Sequence, residues 1–219
     1  MANKTINDFT TAPISDLSHK LLVQKSDNTT ENLLLRRPGY RDLKPTGGYT
    51  PSGAASPDVG TFKAPHRELG FDGTGTDNMA TYRFHFPHDF VEGSDFFFHI
   101  HWGVSAPTPT GFVKWVITWD YAQGYEHDAF DTQYVTTLDD AFVAGQYVHH
   151  ITESAAITPA SMPGKTVRTD GIILATLERD TVDTNNDVAF VFEFDIHYLS
   201  DSTPTVEKDD LTGVGFTKV

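Results

Sequence analysis

An all-β fold, specifically a jelly-roll-like antiparallel β-sandwich, is predicted by three features of the chain. Apolar and polar side chains alternate in short runs, turn chemistry separates those runs every ten to twenty residues from Met79 onward, and no segment after residue 70 has a convincing helical period. Sixteen Phe among 219 residues supply much of a core, and sandwiches of this length form one body.

The first elements are two short apolar segments in SHKLLVQKSDNTTENLLLRRPG. They flank the polar stretch Ser26 to Asn32 and suit a hairpin. Residues 38–78 are dense in Pro, Gly, Ser and Thr, a composition that disfavours helices and central strands. Residues 1–70 are therefore expected to be an extended N-terminal arm used in attachment or assembly, and residues 71–219 the sandwich domain. Within the arm, Tyr40, Tyr49, Phe62 and Leu69 are spaced as isolated apolar anchors for another chain.

The strands of the body follow from period-2 patterning. In MATYRFHF, Ala80, Tyr82, Phe84 and Phe86 share a face, and Pro87 ends the run. The EGSD turn leads into FFFHIHWGV, where Phe96, Phe98, Ile100 and Trp102 lie opposite His99 and His101. FVKWVITWDY places Val113, Trp115, Ile117, Trp119 and Tyr121 on one face. Weaker strands are expected within residues 132–151 and 153–158, followed by GIILATLERD, whose Glu178 and Arg179 read as a solvated pair. The last strand, DVAFVFEFDIHYL, alternates without interruption: Val188, Phe190, Phe192, Phe194, Ile196 and Tyr198 on one face, Glu193, Asp195 and His197 on the other. Six apolar residues in a row on one face predict a central strand.

Composition excludes several classes of function. There are no cysteines, hence no disulfides, thiolate metal sites or cysteine nucleophiles. The net charge of −14 argues against generic partnership with nucleic acid or an anionic membrane. Residues 1–70 carry nine basic and seven acidic groups, whereas residues 71–219 carry seven and twenty-three, so the two parts suit different surroundings. MANKTINDFTTAP contains no apolar stretch of signal-peptide type, and synthesis in a cytoplasm is the expectation.

Chemistry centres on four residues. His99 and His101 share one strand face, Asp195 and His197 another, and neighbouring strands would bring them together as candidate metal ligands. Gly93, His99 and His101 match the opening of the first cupin motif, but a Glu should follow at residue 105 or 106, where Ser105 and Ala106 stand. The expected arrangement is accordingly a polar seam of paired histidines and carboxylates, with no metal, cofactor or catalytic residue. FDGTGTDN lacks the helix and Lys-Ser/Thr of a phosphate loop.

One resemblance runs through these same residues. The order His99-Ile100-His101-Trp102, then Trp115 and Tyr121, then Leu177, Arg179 and Asp180, then Asp195, His197 and Tyr198 resembles structural proteins of tailed-bacteriophage and prophage virions, as does the approach PHDFVEGSD. It covers roughly residues 70–200; the N-terminal arm departs from it. The resemblance implies a non-enzymatic capsid decoration or cement protein, made in the bacterial cytoplasm and located in the virion. Its expected partners are further copies of itself in a homotrimer and the major capsid protein or other virion proteins, with no nucleic acid or membrane. The alternatives are a tail or head-fibre component with a host-binding role and a cupin-like metal-dependent enzyme.

Overall fold

The computed structural model describes residues 20–24, 30–34, 38–52, 57–73, 78–141, 145–180 and 187–201. Its contacts divide the chain into residues 1–37 and 38–219. In the first unit, β1 (Lys20–Gln24) and β2 (Thr30–Leu34) pair antiparallel, Lys20 opposite Leu34 and Gln24 opposite Thr30. This is the hairpin expected around the polar turn. The remainder of residues 1–37, part of the expected arm, lies outside the described residues.

The second unit is the antiparallel sandwich. Its strands are β3 (Gly39–Leu43), β4 (Tyr49–Ser52), β5 (Asp58–Lys63), β6 (His66–Phe71), β7 (Met79–His85), β8 (Phe96–Val104), β9 (Phe112–Gln123), β10 (Gln133–Ala141), β11 (His150–Glu153), β12 (Gly171–Arg179) and β13 (Ala189–Ser200). One sheet has the order β10-β9-β12-β7-β4. The other runs β11-β8-β13-β6-β5, and β3 also pairs with β13.

This arrangement corrects the domain boundary at residue 70. Residues 39–71 supply four strands of the sandwich, at the margins of both sheets. Strand β13 gives the first part of one edge to β6 and the last part to β3. The chain then turns the corner at Gly47 and Gly48, both with positive φ, and β4 lines up against β7 in the opposite sheet. The Pro and Gly content is compatible with strands here because they lie at sheet edges. Pro51, opposite Ala80 on the outermost strand of its sheet, has no further strand among the described residues waiting for an N–H.

Between the sheets, the alternation predicted for β7, β8 and β9 holds at every position. Phe84, Phe96, Phe98, Ile100, Trp102, Val113, Trp115, Ile117 and Trp119 are among the buried side chains. Aromatic rings close the gap edge to face: Phe98 and Trp119 have centroids 5.5 Å apart, Phe84 and Phe194 5.3 Å, and Phe71 and Trp115 5.3 Å. Each such pair adds about 0.5–1.5 kcal/mol to its area burial.

Two expectations for side-chain direction fail, for separate reasons. In β13 the register slips between Val191 and Glu193, a β-bulge at Phe192. An extra residue reverses which face the following side chains take. Ala189 and Val191 therefore share the core with Phe194, Ile196 and Tyr198, whereas Phe192 is only half-buried and packs on Phe62 outside. Arg179, read as solvated, is 1% exposed because it continues the inward series Ile173, Ala175, Leu177 of β12. Its guanidinium donates to the carbonyl oxygens of Phe71, at 2.9 Å, and Asp187, so a buried cation links the end of one sheet to the other.

The bulge makes Phe194→Ala and Phe192→Ala unequal. The first is expected to cost about 3–5 kcal/mol in denaturant unfolding and the second no more than about 2. Equal losses would place both rings in the core. Likewise a chain beginning at Pro38 is expected to unfold cooperatively, while one beginning at Gly70, stripped of four strands, should lose its near-ultraviolet dichroism.

Candidate functional site

The polar residues singled out from sequence meet on the outer face of the six-stranded sheet. Strands β8 and β13 are neighbours, with His99 opposite Asp195, His101 opposite Glu193 and Phe97 opposite His197. On the other side of β8, strand β11 sets Glu153 opposite His99 and Ile151 opposite His101. Beyond β13, β3 brings Asp42 opposite His197. His99, His101, Asp195 and His197 face outward because their strand neighbours Phe98, Ile100, Trp102, Phe194, Ile196 and Tyr198 face the core.

At the centre, His99 Nδ1 stands 3.4 Å from Asp195 Oδ1, and His101 Nε2 stands 3.7 Å from Asp195 Oδ2. The Asp195 carboxylate is 1% exposed, and neither of its oxygens nor His99 Nδ1 forms a hydrogen bond. The other nitrogen of His101, Nδ1, is 2.9 Å from His149 Nε2, a hydrogen bond whose donor is set by the tautomers. The His99 ring stacks on His197 with 5.3 Å between centroids. His197 in turn lies 3.5 Å from Asp42 and 3.4 Å from Glu153, and Lys44 is ion-paired with Glu193.

Burial controls the protonation of this group. Desolvation lifts the Asp195 carboxyl to a pKa of about 6, with the Asp42 charge adding to the effect and Lys44 and His197 opposing it. Desolvation also holds His99 and His101 below the ordinary imidazole value, and for His101 the neighbouring His99 and His149 act in the same direction. Sets of coordinating atoms lying within 4.8 Å of one another occur at His99, His101 and Asp195 and at Asp42, His99 and His197. All four sequence candidates thus belong to one patch, which His99 joins at its centre.

Aromatic side chains flank the polar centre. On one side Tyr40, 55% exposed, packs on Phe97 and His197. On the other, Phe62 packs on Phe190, Phe192 and Tyr147, and Phe192 reaches His149. The segment bearing Tyr147 and His149 crosses close over Gly103, where an added Cβ would meet the Val148 carbonyl oxygen at 2.6 Å and the Phe192 ring at 3.1 Å.

The four expected anchors divide. Tyr40 and Tyr49 expose much of their surface, Phe62 is half-buried within the aromatic flank, and Leu69 is a core residue at 5% exposure. Leu69 as an intermolecular anchor is corrected: it faces inward from β6, a strand that the sequence composition concealed. Asp42, Lys44, Glu153 and His149 went unnoticed in the sequence, since only pairing of β3 and β11 with the two central strands brings them near. A separate open groove of about 480 Å³ is lined by residues of both sheets, including Tyr49, Arg67, Glu68 and Tyr82, whose hydroxyl burial pushes to a raised pKa.

No protein-family profile and no curated protein matches the chain. Among solved structures it is similar to a xylan-binding module, CBM15, at 9% identity and a TM-score of 0.40, over 74% of this chain and 97% of that one.

The close approach at Gly103 is testable by adding a single methyl. Gly103→Ala is expected to cost about 1–3 kcal/mol because backbone, not a flexible side-chain tip, blocks the new methyl. Gly124→Ala, which would meet nothing within 4 Å, should be nearly silent in the same unfolding measurement.

Proposed function

We propose that the protein is a non-enzymatic structural component of a bacteriophage particle, of the capsid decoration or cement type, that works by surface docking. What supports this reading is the resemblance in the order of the motifs to such proteins, taken together with the positions of the residues that carry it. Trp102, Trp115, Tyr121, Leu177, Arg179 and Tyr198 are buried and specify the sandwich. His99, His101, Asp195 and His197 instead form a patch on a sheet face, flanked by aromatic rings. A patch presented by a sheet suits contact with another macromolecule, and aromatic side chains are enriched at such contacts.

A homotrimer is the assembly this reading favours. Capsids offer threefold positions, and a closed ring covers strand edges that would otherwise recruit other chains. The outer strand β10 bears Val135 at 65% exposure, and β4 at the other end of its sheet bears Tyr49. The acidic body keeps such subunits soluble and apart from nucleic acid.

The cupin-like alternative has one observation in its favour, the convergence of His99, His101 and Asp195. Metal-dependent turnover of a small substrate would be its mark. The decoration reading is tested by the number of copies per particle in virions purified from the producing host. On the order of hundreds of copies are expected for a subunit occupying the symmetric positions of a shell. A handful of copies would assign the chain to a tail or fibre, and its absence from particles would overturn the virion reading altogether.

A further inference from the structure

We propose that His99 Nδ1, His101 Nε2 and the Asp195 carboxylate together bind a divalent transition-metal ion of the zinc class on the outer face of the six-stranded sheet. The proposal goes beyond the virion reading and does not depend on it. It departs from the metal-free seam expected from sequence, and the reason is geometric.

A seam of paired histidines and carboxylates requires hydrogen bonds, and the Asp195 carboxylate at its centre makes none among the described residues. Asp195 is 1% exposed with both oxygens lacking a hydrogen-bond partner, and His99 Nδ1 is likewise buried and unsatisfied. Hydrogen bonds to a carboxylate span about 2.7–3.2 Å, shorter than either gap here. Zinc takes nitrogen and oxygen ligands at about 2.0–2.2 Å, so neighbouring ligand atoms of a tetrahedral site stand roughly 3.3–3.6 Å apart. His99 Nδ1 lies 3.4 Å from one Asp195 oxygen and His101 Nε2 3.7 Å from the other, separations close to that edge length, and one ligand atom from each of the three residues lies within 4.8 Å of the other two. One cation would satisfy all three groups at once.

The surroundings are arranged as a metal site requires. His149 bonds the outer nitrogen of His101 at 2.9 Å, fixing the ring so that Nε2 faces Asp195. The stacked His197 ring limits the rotation of His99. Asp42, Glu153 and Glu193 put negative charge around the patch, and Lys44 offsets part of it through Glu193. Two imidazoles with one carboxylate suit zinc and its first-row neighbours better than magnesium or calcium, which prefer all-oxygen sets. Because His99 and His101 sit two residues apart on one face of β8 and Asp195 sits on β13, the ion would clamp the two central strands and leave a coordination position toward the surface, where His101 is 20% exposed.

Asp195→Asn is the decisive variant, since it keeps the shape and removes the charge. The full chain would be freed of metal with a chelator, dialysed, and titrated with zinc chloride by calorimetry and thermal unfolding. One zinc per chain is expected, with Tm rising by on the order of 5–10 °C at a hundredfold excess over Kd. In Asp195→Asn and in His101→Gln the affinity should fall at least tenfold and the Tm rise should vanish. Magnesium chloride should leave Tm unmoved. Without metal, Asp195→Asn should melt no lower than the native chain, because a buried unpaired carboxylate is replaced by a neutral amide. Two results would overturn the site: zinc binding undiminished in both variants, or no zinc binding by the native chain. A lower Tm of Asp195→Asn in chelator, with zinc inert, would restore the hydrogen-bonded seam.

Discussion

Most of this molecule's organisation depends on one irregularity, the bulge at Phe192 in β13. That strand lies between β8 and the pair β6 and β3, so the direction of its side chains decides what both faces of the sheet present. Before the bulge, Ala189 and Val191 face the opposing sheet; after it, Phe194, Ile196 and Tyr198 do. An unbulged strand could not serve both halves, because a one-residue change of phase exchanges core and surface. The extra residue lets Asp195 and His197 emerge beside His99 while Phe194 meets Tyr82 and Phe84 in the core.

The same irregularity explains why the outer face is not an ordinary solvated one. Phe190 and Phe192, released from the core, need cover, and Phe62 from β5 together with the segment carrying Tyr147 provides it. This cover lies beside the histidines, with Phe192 against His149. Desolvation is the largest influence on Asp195, His99 and His101, in each case favouring the neutral form. Packing of the aromatic flank and electrostatics of the polar centre are therefore one problem: polar groups drawn into an apolar setting must find partners or a counter-ion.

The edges of the sheets supply a second constraint. Residues 39–71 wrap the sandwich, contributing β3 to one sheet, β4 to the other and the β5–β6 hairpin back to the first. Asp42 and Lys44 reach the histidine patch only because β3 pairs with the end of β13. Tyr40 and Tyr49 keep their exposure because these strands are marginal. The segment thus belongs to the fold through its backbone and remains available for contact through its side chains.

The sequence by itself determined the all-β class, the hairpin of β1 and β2, and the inward faces of β7, β8 and β9, because uninterrupted two-residue alternation leaves only one way to bury Phe96, Trp102 or Trp115. It also pointed to the four residues of the patch, since His99 and His101 must share a face of their strand, as must Asp195 and His197. Which strands lie side by side was decided by tertiary structure, and with it the meeting of those two pairs and the arrival of His149, Glu153 and Asp42. Nor could alternation reveal the bulge: Val188, Phe190 and Phe192 continue the pattern of Phe194 in the chain, and only pairing with β8 shows the slip. Composition misled at residues 39–71 for a related reason. Proline and glycine disqualify a central strand but not an edge strand, and whether a strand is at an edge is a property of the assembled sheet.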